Sequence, residues 1–268
     1  MPIVLESTSD RFKVLHEDED LPEALSAFDL TPQRTPNWWK RRSGRLSGSK
    51  LSQFMFINDP EELNTFRDEV FGLRPRPPLD EDAMKRVRFG VDNEPNAAAT
   101  LLYHMKDIRL WDIGFEIHPR HKWFGSSPDG VVYWPELGHK SGAWGALEIK
   151  CCTKTNAKGE SIPHAGVPYY YIPQLHAEMT CMPTPFPVRF TVFVTWSLTK
   201  TKIYLVEFDD AYWSILWDTM VNFVIGDMPY AHWQEQQLIL KRASETVAKN
   251  AKLLCVVDSC TVAAESEA

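Results

Sequence analysis

Two carboxylates and one ammonium group are spaced in a way that suits metal-assisted cleavage of a phosphodiester. Asp129 stands in a Ser-Ser-Pro-Asp-Gly run, and Glu148 stands further along the chain in Leu-Glu-Ile-Lys. Side chains alternate across a strand, so Glu148 and Lys150 should share one face while Ile149 points to the other. A metal-binding oxygen would then lie beside a cationic nitrogen.

A turn is expected to bring Asp129 close to Glu148. The proline and glycine beside Asp129 are turn residues, and the apolar residues 131–133 are typical of a strand that can pair with that of Glu148. Magnesium prefers oxygen ligands and needs only one or two protein carboxylates. The ion lowers the pKa of a bound water and offsets transition-state charge, while Lys150 can orient that water or donate to the same charge.

Each half of this pattern also has an ordinary structural interpretation. Pro-Asp-Gly is a common turn, and Glu-x-Lys usually marks a solvated strand face. Residues 146–152 are otherwise apolar enough for a buried central strand, where charges are costly unless they are paired or bound to metal. We therefore favour the interpretation that Asp129, Glu148 and Lys150 form a metal site.

A basic segment precedes this pattern. Residues 34–50 carry six basic residues and no acidic ones, with Trp38 and Trp39 interleaved, which is typical of a phosphate-binding surface with stacking platforms. The alternative is a basic surface loop whose tryptophans fill the core. Ser47 or Ser49 can cap a short helix, and the free N–H groups at such a helix start suit an anion.

Asp129, Glu148 and Lys150 resemble the signature of PD-(D/E)XK nucleases, and the residues around them are similar to the lambda-exonuclease-like branch of YqaJ-type viral recombinases. Three more elements extend the resemblance over about residues 38–180. The first is a Trp, Arg-x-Gly and Ser-x-Ser element, which in the family contacts DNA and its 5′ phosphate. The other two are a Gly-x-x-x-Glu-x-x-Ala helix and a Tyr-x-x-Gln helix.

The resemblance implies a role for each matching residue. The residues implied to hold the metal are Asp129, Glu148, Glu94 and, through its backbone carbonyl, Ile149. The residues implied to act beside them are Lys150, which would position the attacking water, and Gln174. The residues assigned to DNA and its 5′ phosphate are Arg42, Ser49, Arg45 and Trp39.

Glu94 departs from the family pattern because Pro95 follows it directly. Proline is tolerated only in the first turn of a helix, so we expect the helix to begin near Asn93 or Glu94 and to continue through residues 97–105. The carboxylate would then serve as a metal or water ligand, or only stabilise the helix dipole.

Four other polar residues receive no role. Glu116 and His118 alternate with apolar residues on a predicted strand, so we expect the apolar pair to pack inward and Glu116 and His118 to face solvent. His176 and Glu178 are two positions apart on the predicted Tyr-x-x-Gln helix. They do not share a face and are not a metal pair.

Composition limits the classes of protein that fit. The chain has 268 residues, 44% of them apolar, which is enough for a substantial α/β core. The net charge of −7 argues against generic charge-driven nucleic-acid binding, but the acidic residues cluster outside the basic segment. Five cysteines without a zinc spacing indicate a reducing compartment. Because no export signal or membrane-length apolar run is present, we expect a soluble, intracellular protein.

The chain divides into three expected parts. Residues 1–30 should form an acidic extension, residues 31–252 a single nuclease domain with its catalytic core at about 85–210, and residues 253–268 a C-terminal tail whose last dozen residues are frayed. The expected elements are strands within 108–150, a helix over 170–181, a hairpin of strands at 188–196 and 202–208, and helices over 211–225, capped by Asp209 or Asp210, and 234–251.

These observations predict an α/β protein with a PD-(D/E)XK, restriction-endonuclease-like core, in which helices flank a mixed sheet. The resemblance implies a magnesium-dependent 5′-to-3′ exonuclease on double-stranded DNA ends, with Mn²⁺ able to substitute, that processes ends for single-strand-annealing recombination. It also implies a single-strand-annealing partner, a monomer or a ring-forming homo-oligomer and, for a viral protein, the host nucleus or cytoplasm. The alternatives are a structure- or sequence-specific endonuclease, an alkaline nuclease that also cleaves RNA, and an inactive nucleic-acid-binding protein with the same fold.

Overall fold

A six-stranded mixed sheet carries the residues of the predicted site. The computed structural model describes residues 5–6, 13–14, 23–137, 142–183, 188–226 and 228–261. The strands in these ranges are β1 (Leu5–Glu6), β2 (Lys13–Val14), β3 (Leu46–Ser47), β4 (Arg109–Trp111), β5 (Glu116–Ile117), β6 (Phe124–Ser126), β7 (Gly130–Trp134), β8 (Ala143–Cys151), β9 (Phe190–Trp196), β10 (Lys200–Glu207) and β11 (Lys252–Asp258). The main sheet has the order β11-β10-β9-β8-β7-β4, a small sheet has the order β3-β6-β5, and β1 pairs with β2.

Helices pack on both faces of this sheet. The α-helices in the described ranges are α1 (Pro36–Arg42), α2 (Pro60–Phe71), α3 (Glu81–His104), α4 (Ile172–Cys181), α5 (Asp210–Ile225) and α6 (Tyr230–Asn250). Short 3₁₀ helices span Glu23–Ala27, Gly48–Met55 and Tyr169–Tyr171. The predicted α/β class is confirmed, as are the hairpin of β9 and β10 and the cap of α5 by Asp209. None of the described helices combines the length and the hydrophobicity that a bilayer span requires.

Strand β8 is central, and its two faces meet different helices. On one face its apolar residues pack against α3 in a buried cluster that includes Ile149 and Leu101. On the other face lies α4, which also packs on β9 and on the 3₁₀ helix Gly48–Met55. Because alternate residues of a strand share a face, Glu148 and Lys150 project toward α4. β8 pairs antiparallel with β7 and parallel with β9.

Helix α3 runs through Pro95 without a break, and its start is capped by Asp80. The expected start near Asn93 is therefore wrong, and Glu94 lies inside the helix. Proline removes one backbone donor, which destabilises a helix interior. Here the residues that follow, including fully buried Leu101, pack against the sheet, and this burial outweighs the lost hydrogen bond.

The C-terminal segment continues the sheet instead of fraying. β11 pairs antiparallel with β10, and Lys252 forms an ion pair with Glu207 at 2.6 Å. Without β11, strand β10 would expose a row of unpaired backbone donors and acceptors. The expected tail is therefore wrong for residues 253–258, which belong to the sheet, and residues 262–268 lie outside the described part of the chain.

The N-terminal segment also contributes to the core. Leu25 and Phe28 are buried in one cluster with Ile113 and Val131, so the expected extension does not reach residue 30. The acidic residues 17–20 lie outside the described residues.

Buried His176 should make the fold sensitive to acid. Its Nε2 accepts a hydrogen bond from the Asp209 N–H at 3.1 Å, so the neutral ring donates through Nδ1 to the Ile172 carbonyl at 3.0 Å. Burial lowers the pKa of His176 from 6.5 to about 4. Between those two values the unfolded chain binds more protons than the folded chain. The free energy of unfolding therefore falls, by up to about 3 kcal/mol, as the pH drops through this window.

Unfolding by urea at pH 7 and pH 4 tests this prediction. We expect His176→Gln to lose less stability than the wild type between the two pH values. His104→Gln, which replaces an exposed histidine of α3, should keep the full loss. The same loss in His176→Gln as in the wild type would contradict the assignment.

Candidate active site

Strand β8 places Glu148 and Lys150 side by side. Lys150 Nζ donates to Glu148 Oε1 at 2.5 Å. The glutamate side chain is only 3% exposed, whereas the lysine side chain is 25% exposed. The carboxylate is thus enclosed by the fold, and the ammonium group lies between it and solvent.

Asp129 is anchored to the same strand at the point where β7 begins. Its N–H donates to the Leu147 carbonyl at 2.9 Å, and its Oδ2 accepts from the Ile149 N–H at 2.7 Å. These two bonds flank Glu148 along β8. Asp129 therefore lies beside Glu148 at one end of the β7–β8 pair, and the predicted pairing of these two strands is confirmed.

Crowded charges dominate the electrostatics of the site. Burial, followed by the charge of Asp129, raises the pKa of Glu148 to about 7, although Lys150 opposes the shift. Burial lowers the pKa of Lys150, but the charges of Glu148, Tyr171 and Asp129 outweigh it and hold that pKa above its ordinary value. The ammonium group stays charged while the two acids repel each other. A cation bound between them would relieve that repulsion.

Helix α4 adds a third buried acid to which the sequence analysis gave no role. Gln174 Nε2 donates to Glu148 Oε1 at 2.6 Å and to Glu178 Oε1 at 2.8 Å. Glu178 is fully buried, and its Oε2 has no hydrogen-bond partner among the described residues. Burial, followed by the charge of Glu148, raises the pKa of Glu178 well above its ordinary value. Helical spacing could have identified it, because residues four apart share a face.

The donor set fits a hard divalent cation. Asp129 and Glu148 offer carboxylate oxygens, and the Ile149 carbonyl projects from β8 on the side of its own N–H, which Asp129 binds. Within the described residues, no group of three or more His, Cys, Asp or Glu side chains is arranged to hold a metal. A metal here would rely on two carboxylates, a backbone carbonyl and water, a set that magnesium accepts.

Glu94 lies on the α3 side of β8, where Arg34 Nη2 contacts its Oε1 at 3.0 Å. Burial first, and then the charges of Glu94 and Asp129, raise the pKa of the Cys151 thiol. Glu94 and Asp129 thus both act electrostatically on Cys151 at the end of β8. A metal role for Glu94 stays a prediction.

The segment that leads into α1 holds the turn that presents Asp129. Buried Gln33 donates through Nε2 to the Pro128 carbonyl at 2.8 Å. The indole N–H of Trp38 donates to Ser127 Oγ at 3.1 Å. The basic segment and the Asp129 turn are thus joined by direct hydrogen bonds.

The structure brings Arg42 and Ser49 together. Arg42 Nη2 donates to Ser49 Oγ at 2.7 Å, and the guanidinium carbon lies 5.0 Å from the centre of the Trp38 ring. Burial, followed by the charge of Arg76, lowers the pKa of Arg42 to about 10. Among the described residues, the Arg42 side chain is positioned by a hydrogen bond and by ring stacking rather than by a carboxylate.

The other residues of the basic segment differ in their surroundings. Arg45 Nε donates to the Lys122 carbonyl at 2.8 Å, so this arginine braces a loop. Trp39 is 55% exposed, whereas Trp38 is buried, so one tryptophan fills the core and the other is open to a ligand. Ser47 precedes the 3₁₀ helix but does not cap it, because its Oγ has no hydrogen-bond partner in the described structure. The DNA roles of Arg45 and Trp39 stay predictions.

The expectation that Glu116 and His118 face solvent is wrong, because each is only 5% exposed. Glu116 accepts a hydrogen bond from the Asp29 N–H at 2.7 Å, and burial raises its pKa to about 7. The His118 ring lies 5.8 Å from the ring of Trp217 in α5. The N-terminal segment and α5 thus cover β5 and the residues after it. The alternation of polar and apolar residues alone would leave one face of this strand in solvent.

A mixed sheet whose central strand carries an acid and a lysine, with a second acid at the start of the neighbouring strand, defines a PD-(D/E)XK-like core. The model of the YqaJ-like viral recombinase domain matches residues 37–185, and the chain belongs to that family. Nucleases of this kind generally use a divalent metal.

Solved structures show the same fold. The crystal structure of an alkaline exonuclease (LHK-Exo) from Laribacter hongkongensis has 20% identity and a TM-score of 0.50, and the match covers 80% of this chain and 100% of that chain. The structure of LHK-Exo in complex with dAMP has 23% identity and a TM-score of 0.51, with the same coverage. No curated protein matches this chain in sequence.

Proposed function

We propose that this chain is a magnesium-dependent 5′-to-3′ exonuclease that acts on the ends of double-stranded DNA and prepares them for single-strand annealing. The observation that carries the proposal is the meeting of Asp129 and Glu148 beside Lys150 on β8. Membership of a viral recombinase family and the fold shared with an alkaline exonuclease support it.

The chain's own residues have distinct tasks in this proposal. When bound, the metal supplies an activated water and offsets charge on the cleaved phosphodiester. Lys150, fixed by Glu148, donates to that water or to the developing charge. Gln174 keeps the Glu148 carboxylate in one orientation through its hydrogen bond. Glu94 is proposed as a further metal or water ligand.

End recognition is assigned to the pair of Arg42 and Ser49. Trp38 connects this pair to the turn that presents Asp129. Its ring stacks on the Arg42 guanidinium, and its indole N–H donates a hydrogen bond to Ser127. A 5′ phosphate held by Arg42 would therefore be positioned by the same tryptophan, Trp38, that contacts the Asp129 turn. Exposed Trp39 and half-buried Arg45 would contact the adjoining DNA.

The test compares DNA ends. We expect the wild type with Mg²⁺ to degrade linear duplex, to spare closed circular duplex and to release a 5′ label before a 3′ label. It should prefer 5′-phosphate over 5′-hydroxyl ends, and Arg42→Ala should reduce that preference about tenfold, since a charge-assisted hydrogen bond is lost. Arg242→Ala, which replaces an exposed arginine of α6, should keep the preference for 5′-phosphate ends. Cleavage of circles would indicate an endonuclease, and binding without metal-dependent products an inactive protein.

Several wider features belong to the same proposal. We propose Mn²⁺ as a substitute metal, a single nuclease domain over residues 31–252, an intracellular site of action and a single-strand-annealing partner. A ring of several copies would hold duplex in a channel and would predict high processivity.

A further inference from the structure

Glu178 is a buried acid with one incompletely satisfied carboxyl group. It lies one helical turn after Gln174 in α4, and its side chain is fully buried. Its Oε1 accepts a hydrogen bond from Gln174 Nε2 at 2.8 Å, whereas its Oε2 has no hydrogen-bond partner among the described residues. A buried polar atom without a partner lowers the stability of a protein. An acid kept at this position therefore points to a task in function rather than in folding.

Glu178 and Glu148 accept hydrogen bonds from the same amide group. Gln174 Nε2 donates to Glu148 Oε1 at 2.6 Å and to Glu178 Oε1 at 2.8 Å. A glutamine amide carries two N–H donors on its nitrogen, whereas its oxygen can only accept. With a carboxyl oxygen on each side, the amide directs its nitrogen at both acids, because the reversed amide would place oxygen against oxygen. Glu178 thus fixes which end of the Gln174 amide faces Glu148.

The orientation of Gln174 affects the oxygen that Glu148 can offer to a metal. Lys150 Nζ and Gln174 Nε2 both donate to the same atom, Glu148 Oε1. Two donors on Oε1 leave Oε2 as the oxygen for a cation. If the Gln174 amide could turn, one of the two bonds that fix the carboxylate would be lost. Glu148 would then be a less well oriented ligand.

We propose that Glu178 is a positioning residue of the active site, which fixes the Gln174 amide and through it the metal-binding carboxylate of Glu148. This inference rests on the proposed metal-dependent nuclease function, and it assigns a role to a residue outside the Tyr-x-x-Gln pattern. Glu178 contacts neither the DNA nor the metal in this arrangement. Hydrogen-bond partners of metal ligands typically change metal affinity by about 10- to 100-fold when they are removed.

The first experiment measures metal binding by thermal unfolding of the full chain, in EDTA and over a Mg²⁺ titration, and single-turnover cleavage of linear duplex is measured alongside. Glu178→Met should need about tenfold more Mg²⁺ than the wild type for the same rise in melting temperature. Glu178→Gln keeps an oxygen that can accept from Gln174, so we expect it to bind Mg²⁺ nearly as the wild type does. Glu235→Met, which replaces an exposed glutamate of α6, is the matched control.

The melting temperature in EDTA separates positioning from a structural role. Glu178→Met should melt at the wild-type temperature or above it, because it removes a buried oxygen without a partner. A merely structural role predicts a lower melting temperature. If Glu178→Met does not fold, Glu178→Leu carries the same expectations, and failure of both to fold would show that the acid serves stability and would overturn the proposal.

A double-mutant cycle tests whether Glu178 acts through Gln174. Gln174→Met should weaken Mg²⁺ binding at least as much as Glu178→Met does. The double variant should be no weaker than Gln174→Met alone, since the contact between the two side chains is already lost. A further loss of about tenfold in the double variant would show that Glu178 acts on the metal independently of Gln174, and the proposed positioning role would be wrong.

The remaining outcomes distinguish this inference from the proposed function. If the wild type shows neither a Mg²⁺-dependent rise in melting temperature nor cleavage, the proposed function fails. If the wild type shows both, but Glu178→Met responds to Mg²⁺ as Glu235→Met does, only the positioning role fails. Impairment of Glu178→Gln to the level of Glu178→Met would also refute that role, because the charge rather than the acceptor oxygen would then carry the effect.

Discussion

Lys150→Met is expected to lower the rate of duplex cleavage by at least about 10²-fold, because a positioned donor of this kind stabilises charge that develops only in the transition state. Lys150 is held by Glu148 and is partly open to solvent, so it can reach both the carboxylate and a bound phosphate. Binding of duplex in EDTA should change little, since one charge contributes modestly to affinity. Single-turnover cleavage and equilibrium binding of the same linear duplex measure the two quantities.

The matched control is Lys154→Met, because Lys154 is an exposed lysine shortly after β8. It should cleave at the wild-type rate. A Lys150→Met protein that cleaves as fast as Lys154→Met would show that the lysine of β8 has no part in the chemistry. A Lys150→Met protein that no longer binds DNA would indicate a role in binding instead.

Asp129→Asn is expected to abolish metal binding and to lower the rate of duplex cleavage by at least about 10²-fold, as Lys150→Met does. The amide can still accept the hydrogen bond from the Ile149 N–H through its oxygen, so the turn should keep its geometry while one anionic ligand is lost. Mg²⁺ should raise the melting temperature of the wild type, because a ligand that binds only the folded chain stabilises it. This rise should disappear in Asp129→Asn.

Two comparisons make the Asp129→Asn result specific. Asp107→Asn, which changes an exposed aspartate, should keep both the Mg²⁺-dependent rise and the cleavage activity. Without metal, Asp129→Asn should be at least as stable as the wild type, since it removes a charge that repels Glu148. Full Mg²⁺-dependent stabilisation of Asp129→Asn would place the metal elsewhere and would remove the basis of the proposed function.

The strand of the site could be predicted because its pattern is local. Alternation alone places Glu148 and Lys150 on one face, and turn residues alone place Asp129 at the start of a strand. The burial of Glu116 could not be predicted in this way. Its partner, the Asp29 N–H, lies 87 positions earlier in the chain, and no local period reports such a contact.

The other differences between the predicted and the observed structure arose where tertiary packing outweighed a local sequence preference. Pro95 is a poor residue for a helix interior, but the contact of α3 with β8 maintains the helix through it. Lys50 looks like part of a solvated basic run, and only the fold shows that the residue is 7% exposed. Glu178 is different, since its i, i+4 relation to Gln174, which places both side chains on one helix face, is visible in the sequence.

Helix α4 lies in the connection that joins β8 to β9, and the same helix carries Gln174 and Glu178. We therefore expect formation of the parallel strand pair and arrival of these polar groups at Glu148 to be coupled in folding. A partly unfolded chain in which α4 has not docked would lack the hydrogen bond from Gln174 to Glu148. The candidate active site would thus be completed together with the parallel pairing of β8 and β9.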